Sequence, residues 1–306
     1  MTVTSSTERE IAKPGLTDRF QEMLPKLVLA PTGLASLFFV YGFIGWTIWL
    51  SLSKSSLMPN YEFAGLTQYA RLWANDRWWV AAENLFVFGF LFIGFTMLVG
   101  LSLAIFLDQR IRTEGFIRTV YLYPMALSLI VTGVVWQWML NPELGLTALM
   151  HAIGFENFKF DWIVNSDMAI YTIVIAAVWQ SSGFVMALFL AGLRGVDESI
   201  FKAAQVDGAS LPTVYWQIVI PSLRPVAFSS LIILAHIAVK SFDLIQAMTD
   251  GGPGYATDVP ATFMYTFAYT RGQIGMGAAA AIMMLMAVLA IIIPYLYSEL
   301  RGGRNG

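Results

Sequence analysis

The chain has 306 residues, 57% of them hydrophobic and only 12% charged, where a soluble domain carries about a quarter charged. With no cysteine, disulfides and thiolate metal sites are excluded. His151 and His236 stand far apart without the spacing of a metal motif, and the net charge of −2 selects no class of partner.

Residues 1–26 are polar and mixed in charge. They read as a cytoplasmic tail, either a short amphipathic helix or a partly disordered terminus. Beyond them, long uncharged windows predict an all-α membrane protein with six transmembrane helices. The windows are residues 27–52, 86–107, 120–140, 168–193, 227–239 extended toward Met248, and 274–297. The first is too long for a signal-peptide core and lacks a small-residue cleavage site after it, so it is expected to be retained. The end of the fifth is blurred by His236, Lys240 and Asp243. The membrane-spanning body then covers 27–298, with a short cytoplasmic tail at 299–306.

Between the windows lie loops. Residues 53–85 carry Pro59, Asn60, Trp73, Trp78 and Trp79, which read as an aromatic belt or as contacts to an external partner. Asn141-Pro142-Glu143-Leu144-Gly145 is a turn, and 151–167 a second external loop. Asp250-Gly251-Gly252-Pro253-Gly254 opens a third. Residues 242–250 are expected to dip partly into the membrane, where their backbone must be shielded by protein. With a cytoplasmic N-terminus, Lys and Arg divide 12 inside against 6 outside, so both termini and the 194–225 segment are predicted cytoplasmic.

That segment is the most informative. Asp197 is suited to cap a helix, and Glu198 complements its dipole. Ile200, Ala203, Ala204 and Val206 are small or apolar, and Ala203-Ala204 leaves room for close packing in a groove. Gly208 suits the left-handed position that ends a helix. Ser210 then caps a second helix, which tolerates Pro212 in its first turn. From composition alone, an ordinary interfacial helix is the competing account.

Lys202-Ala203-Ala204-Gln205-Val206-Asp207-Gly208-Ala209, followed by Ile218-Val219-Ile220-Pro221, resembles the EAA loop of binding-protein-dependent ABC importer permeases. Ala30-Pro31, Gly65-Leu66-Thr67-Gln68-Tyr69, Tyr123-Pro124 with Trp136, and Thr249-Asp250-Gly251-Gly252-Pro253 match the carbohydrate branch, in the family's order. The chain is similar to the maltose and glycerol-phosphate permeases, and in wording to permeases for glucose or mannose. A disaccharide or other glycoside remains open. One departure stands out: the family's Glu is Lys202, which either meets an acidic group of the partner or faces water.

The resemblance implies a cytoplasmic coupling helix between helices 4 and 5, with Glu198, Lys202, Ala203, Ala204, Asp207, Gly208 and Ala209 contacting an ATPase. It implies a second homologous permease, a cytoplasmic ABC ATPase dimer that uses ATP and Mg, an external or periplasmic sugar-binding protein, and the bacterial inner membrane. It implies no cofactor bound by this chain and no nucleic-acid partner. No phosphate-binding G-x-x-x-x-G-K-[S/T] loop or nucleophile elbow occurs, so the chain is not expected to be an enzyme.

Polar residues inside spans are substrate candidates by default. These are Trp136, Gln137, Trp138, Trp179, Gln180, Ser181, Ser182, Lys240, Ser241, Asp243 and Gln246. The resemblance favours Gln180, Ser181, Ser182, Lys240, Ser241 and Asp243. Competing accounts are a Lys240–Asp243 pair, belt tryptophans, and close packing at Ser181-Ser182-Gly183. The rival functions are a self-contained secondary transporter or channel, which would need repeat symmetry, broken helix pairs or charged rings in the spans, and a membrane-anchored assembly or sensing subunit.

Overall fold

The computed structural model describes Lys26 and residues 28–109 and 112–302. The predicted N-terminal tail, apart from Lys26, lies outside these, as do Arg110 and residues 303–306 of the C-terminal tail. The chain divides into a unit ending at Trp49 and a body, Leu50–Gly306. Among the described residues the structure is helical, with no strand beyond one isolated bridge, Ser53 to Phe63.

Helix α1, Val28–Ser51, is long and apolar enough to cross a membrane, and none of its most apolar window is buried within the chain. The loop after it is closed by Lys54 N–H to Glu62 O at 3.0 Å and Ala64 N–H to Leu52 O at 2.7 Å. Part of it is helical, as α2, Thr67–Trp73. Gln68 is buried there and donates to Ser53 O at 2.8 Å.

Helix α3, Asp76–Asp108, runs unbroken for 33 residues, about 50 Å. Asn75 caps it, accepting from the Arg77 amide at 3.0 Å. Helix α7, Ala169–Arg194, is the other long helix of the core, matching the predicted window at 168–193. α3 and α7 pack along their lengths, and with later helices they enclose the main core of Phe88, Phe92, Ile173, Val185, Met186, Leu234 and Leu244.

The third window is not one straight helix. α4, Glu114–Leu122, ends in a 3₁₀ turn, Tyr123–Ala126, and α5, Leu129–Met139, leaves it at 101°. Pro124 lacks an amide donor and so weakens a continuous helix here. The following loop contains a short helix α6, Leu146–Ala152.

After α7 come α8, Glu198–Val206, and α9, Pro212–Ser222, whose middle is a π turn, Tyr215–Val219. α10, Arg224–Val239, departs from α9 at 61°. The fifth window breaks again at Lys240-Ser241 and resumes as α11, Phe242–Thr249. Residues 242–249 are therefore helical, supplying their own backbone partners, with Leu244, Ile245 and Met248 buried. Two helices complete the body: α12, Pro260–Tyr265, and α13, Ile274–Gly302. Among the described residues four helices are long and apolar enough to be spans alone, and up to six if each bent pair is one span.

The three external tryptophans do not form one belt. Trp73 and Trp79 pair at 5.0 Å and are exposed. Trp78 is buried in a second core with Leu72, Phe263, Phe267 and Met276. It meets Phe263 edge-on at 5.3 Å.

Candidate functional site

The α8 segment folds as its local chemistry dictates. Asp197 Oδ1 accepts from the Ser199 amide at 2.8 Å, the expected N-cap. This bond first, and then one from the Ser199 hydroxyl, holds the exposed Asp197 carboxyl below its ordinary range. At the other end Gly208 takes φ +74. The Ala209 amide reaches back to Ala204 O and the Asp207 amide to Ala203 O, each at 3.0 Å. The first of these is the long bond of a Schellman turn, which requires the left-handed residue that glycine supplies. Ser210 stands before the next helix, but its hydroxyl pairs with the Thr213 hydroxyl at 2.8 Å.

Adjacent alanines divide the work, because consecutive helical residues point about 100° apart. Ala204 is buried in the protein's own core, whereas Ala203 is exposed. Lys202 and Asp207 are exposed, Val206 is 88% exposed, and Ala209 is half-buried. The Glu198 side chain lies outside the described set.

Two contacts tie this segment to the corner between α3 and α4. Arg194 Nη2 donates to Glu114 Oε1 at 2.6 Å. The Tyr215 hydroxyl donates to Asp108 Oδ2 at 3.1 Å and accepts from Gln109 Nε2 at 3.2 Å.

The membrane candidates separate into buried and exposed groups. Gln180, Ser181, Ser182 and Ser241 are buried, whereas Lys240 and Asp243 are exposed. No ion pair joins Lys240 and Asp243 among the described residues. Gln180 Nε2 donates at 3.0 Å to Leu127 O, a carbonyl in the break between the 3₁₀ turn and α5. Its Oε1 is buried without a partner, as is Ser241 Oγ. Ser182 has only a long contact, 3.4 Å, to Trp179 O. A Cβ on Gly183 would lie 1.8 Å from Tyr121 O, so glycine permits α7 to touch the α4 backbone there.

Trp136 and Trp179 meet edge-on at 5.8 Å. With Ser182 and Tyr171 they line an apolar cleft of about 780 Å³. Trp138 is exposed on α5. Gln137 lines a separate pocket of about 280 Å³ with Asn141, Thr249 and Gly252. Gln246 donates to Asp250 Oδ1.

Sequence reasoning missed a latch at the outer end of α3. Arg77 Nε donates to Asp258 Oδ2 at 2.5 Å, and the Asp258 side chain is fully buried. The Thr262 hydroxyl donates to Asp258 Oδ1 at 2.5 Å, and Asn84 Nδ2 to Asp258 O at 2.9 Å. Arg77 also lies over the Tyr255 ring at 4.2 Å. One signal was available: Arg77 sits in the first turn of a helix, where the dipole disfavours a cation.

The long apolar helices and the bent pairs are those of a multi-pass membrane protein. The chain belongs to the family of binding-protein-dependent transport system inner membrane components, whose model matches residues 96–301. It is thus a permease component of an ABC importer. Among its relatives is a probable ABC transporter permease of Pyrococcus horikoshii, 37% identical across 90% of this chain and 95% of that one. The xylose/arabinose import permease of Haloferax volcanii is 36% identical across 86% and 84%. The trehalose/maltose permease of Thermococcus litoralis is 31% identical across 88% and 91%. The fold is shared with a chain of a bacterial importer of alginate, at TM-score 0.80 and 20% identity, covering 93% of this chain and 98% of that one.

Proposed function

We propose that the chain carries a mono- or oligosaccharide across the bacterial inner membrane through six spans, with both termini cytoplasmic. The bent pairs α4–α5 and α9–α10 each count as one span. A second homologous permease completes the pathway, and an external binding protein delivers the sugar. A cytoplasmic ATPase dimer, using ATP and Mg, grips α8.

The observation that carries the coupling role is the α8 turn. It is capped at its start by the Asp197 side chain and at its end by backbone bonds, anchored inward by Ala204, and presents Ala203, Val206 and Asp207 outward. Lys202 stands on this surface, where the family places Glu, and meets an acidic group of the ATPase cleft. The sugar class is supported by the names of relatives for xylose/arabinose and for trehalose/maltose. Gln180 and Ser241 keep buried polar atoms without partners, and such atoms are rare enough to need an explanation. A sugar hydroxyl passing between the helices supplies one. Ser181, Ser182, Lys240 and Asp243 complete the proposed sugar-contacting set.

The test is purification of the tagged chain from its native membrane, followed by ATPase and uptake assays. An ATPase and a second permease co-purify, and a sugar-loaded binding protein stimulates hydrolysis. Recovery of the chain alone, under conditions that preserve other such complexes, overturns the proposal. Lys202→Glu is expected to abolish stimulation while leaving the chain in the membrane.

A further inference from the structure

Both ends of α3 carry a charge that the helix dipole disfavours. Arg77 is a cation in the first turn, and Asp108 is a carboxylate at the last residue. Each is stabilised by a group from a distant part of the chain. At the cytoplasmic end the Tyr215 hydroxyl, from the segment following α8, donates to Asp108. At the outer end Asp258, from the turn after α11, accepts from Arg77, and Asn84 holds the same turn by its backbone. Arg77 Nη2 further reaches the Thr266 hydroxyl, just beyond α12, at 3.3 Å.

Between these fastenings α3 contains no proline and no break. The bent pairs kink by 101° and 61° and cannot transmit an axial push without flexing. α3 also lies tight against α7, where a Cβ on Gly100 would meet Val185 Cγ1 at 2.7 Å.

We propose that α3 is a strut through the membrane, linking the coupling segment to the external turn Gly251–Asp258 by two polar fastenings. The inference rests on the importer reading. Movement of α8 by the ATPase shifts Tyr215, displaces α3 through Asp108, and reaches the external turn through Arg77 and Asp258. Tyr215, Asp108, Arg77 and Asp258 are positioning residues: none needs to touch sugar or nucleotide. The strut gives the ATPase a route to the outer face that bypasses the kinked helices. A packed, unbroken element biased at both ends is the kind of physical link that such coupling requires.

The chain has no cysteine, which makes the test direct. A single Ala256→Cys in the external turn is introduced, and the complete complex is assembled in lipid nanodiscs. Labelling of this chain by an impermeant maleimide is followed without nucleotide and with ATP, magnesium and vanadate. The expected result is a nucleotide-dependent change in labelling rate. Tyr215→Phe then reduces that change about tenfold, roughly the effect of one hydrogen bond to a charged group. Arg77→Lys does likewise, and the double variant is no worse than either single one, because both cut the same link. Asp108→Asn, which keeps an acceptor oxygen, retains the response, and Asp108→Ala loses it. Thermal melting of each complex shows whether the fold is intact.

A full response in Tyr215→Phe, or no nucleotide response in a complex that takes up sugar with ATP, overturns the strut and leaves the importer standing. Additive losses in the double variant overturn it as well. A complex that hydrolyses no ATP overturns the importer reading, and the strut with it.

Discussion

The turn after α8 and the turn after α11 use similar residues for opposite ends. Each relies on left-handed backbone, at Gly208 in one and at Asp250, Gly251 and Gly254 in the other. The turn after α8 satisfies itself with backbone bonds and leaves the side chains of Lys202, Val206 and Asp207 outside. The turn after α11 has backbone bonds too, such as Gly252 N–H to Thr249 O at 2.9 Å and Thr257 N–H to Gly251 O at 3.2 Å, but adds side chains to them. The Thr257 hydroxyl donates to Gly252 O and pairs with the Thr249 hydroxyl, both at 2.8 Å, and Asp258 is fully buried among Arg77, Thr262 and Asn84. A surface meant for a partner keeps its side chains available, whereas a turn that must hold its place spends them internally.

The largest expected effect breaks the external turn. Arg77→Ala leaves the Asp258 carboxylate buried without its cation, which costs about 3–5 kcal/mol. Asp258→Ala strands Arg77, though its side chain is 13% exposed and regains some water. The melting temperature of the purified complex and the amount of chain in the membrane both fall. A change within error for Arg77→Ala would show that the pair is dispensable to the fold.

Gly183→Ala comes next. The added carbon would lie 1.8 Å from the Tyr121 carbonyl, which is backbone and cannot swing aside. Separation of α7 from α4 costs about 1–3 kcal/mol. It also moves the Gln180–Leu127 bond, one turn away. Melting and sugar affinity are expected to change together.

Gly208→Ala sharpens the contrast. No heavy atom lies within 4 Å of a Cβ built there, so the cost is the left-handed backbone alone, about 1–2 kcal/mol. The melting temperature is expected to move little, because the strain is relieved by fraying an exposed turn. ATP-driven uptake falls several-fold, since the surface the ATPase grips is displaced. Uptake that tracks melting would remove the distinction between the two turns.

The α8 segment with its Gly208 turn was legible in the sequence because its determinants are local. A capping aspartate, a helical stretch and a glycine in the terminating position lie within a dozen residues, and each acts on its neighbours. The apolar windows were legible for the same reason, and α7 falls within a residue of its predicted bounds. The bends at Leu127 and Leu223 were not placed, although Pro124, Pro221 and Pro225 flank them. An apolar window reports the solvent a segment prefers and says nothing of its straightness. The latch was invisible because Arg77 and Asp258 are 181 residues apart, and only tertiary packing joins them. Trp78 illustrates the same limit. It adjoins Trp79 and is chemically identical, yet it is core while Trp79 is exposed, because helical rotation assigns their faces. The Ala203-Ala204 pair divides in the same way, with Ala204 buried and Ala203 exposed.

The smallest effect concerns the start of α8. Hydrogen bonds from the Ser199 amide and hydroxyl favour the ionised Asp197, so its folded pKa lies below the unfolded value near 3.9. A depressed carboxyl pKa contributes stability that is fully present above the unfolded value and is lost as pH falls through the folded one. The cap is therefore unaffected between pH 7 and pH 5, and weakens only in acid below about 4. Hydrogen exchange in α8 is expected to accelerate there relative to its intrinsic rate. Asp197→Asn keeps a capping oxygen without a titrating group, so it flattens that dependence while preserving protection at neutral pH. An identical acid response in the Asn variant would place its origin in the external turn or elsewhere in the body. The cytoplasmic turn would then be as indifferent to acid as its backbone bonds are.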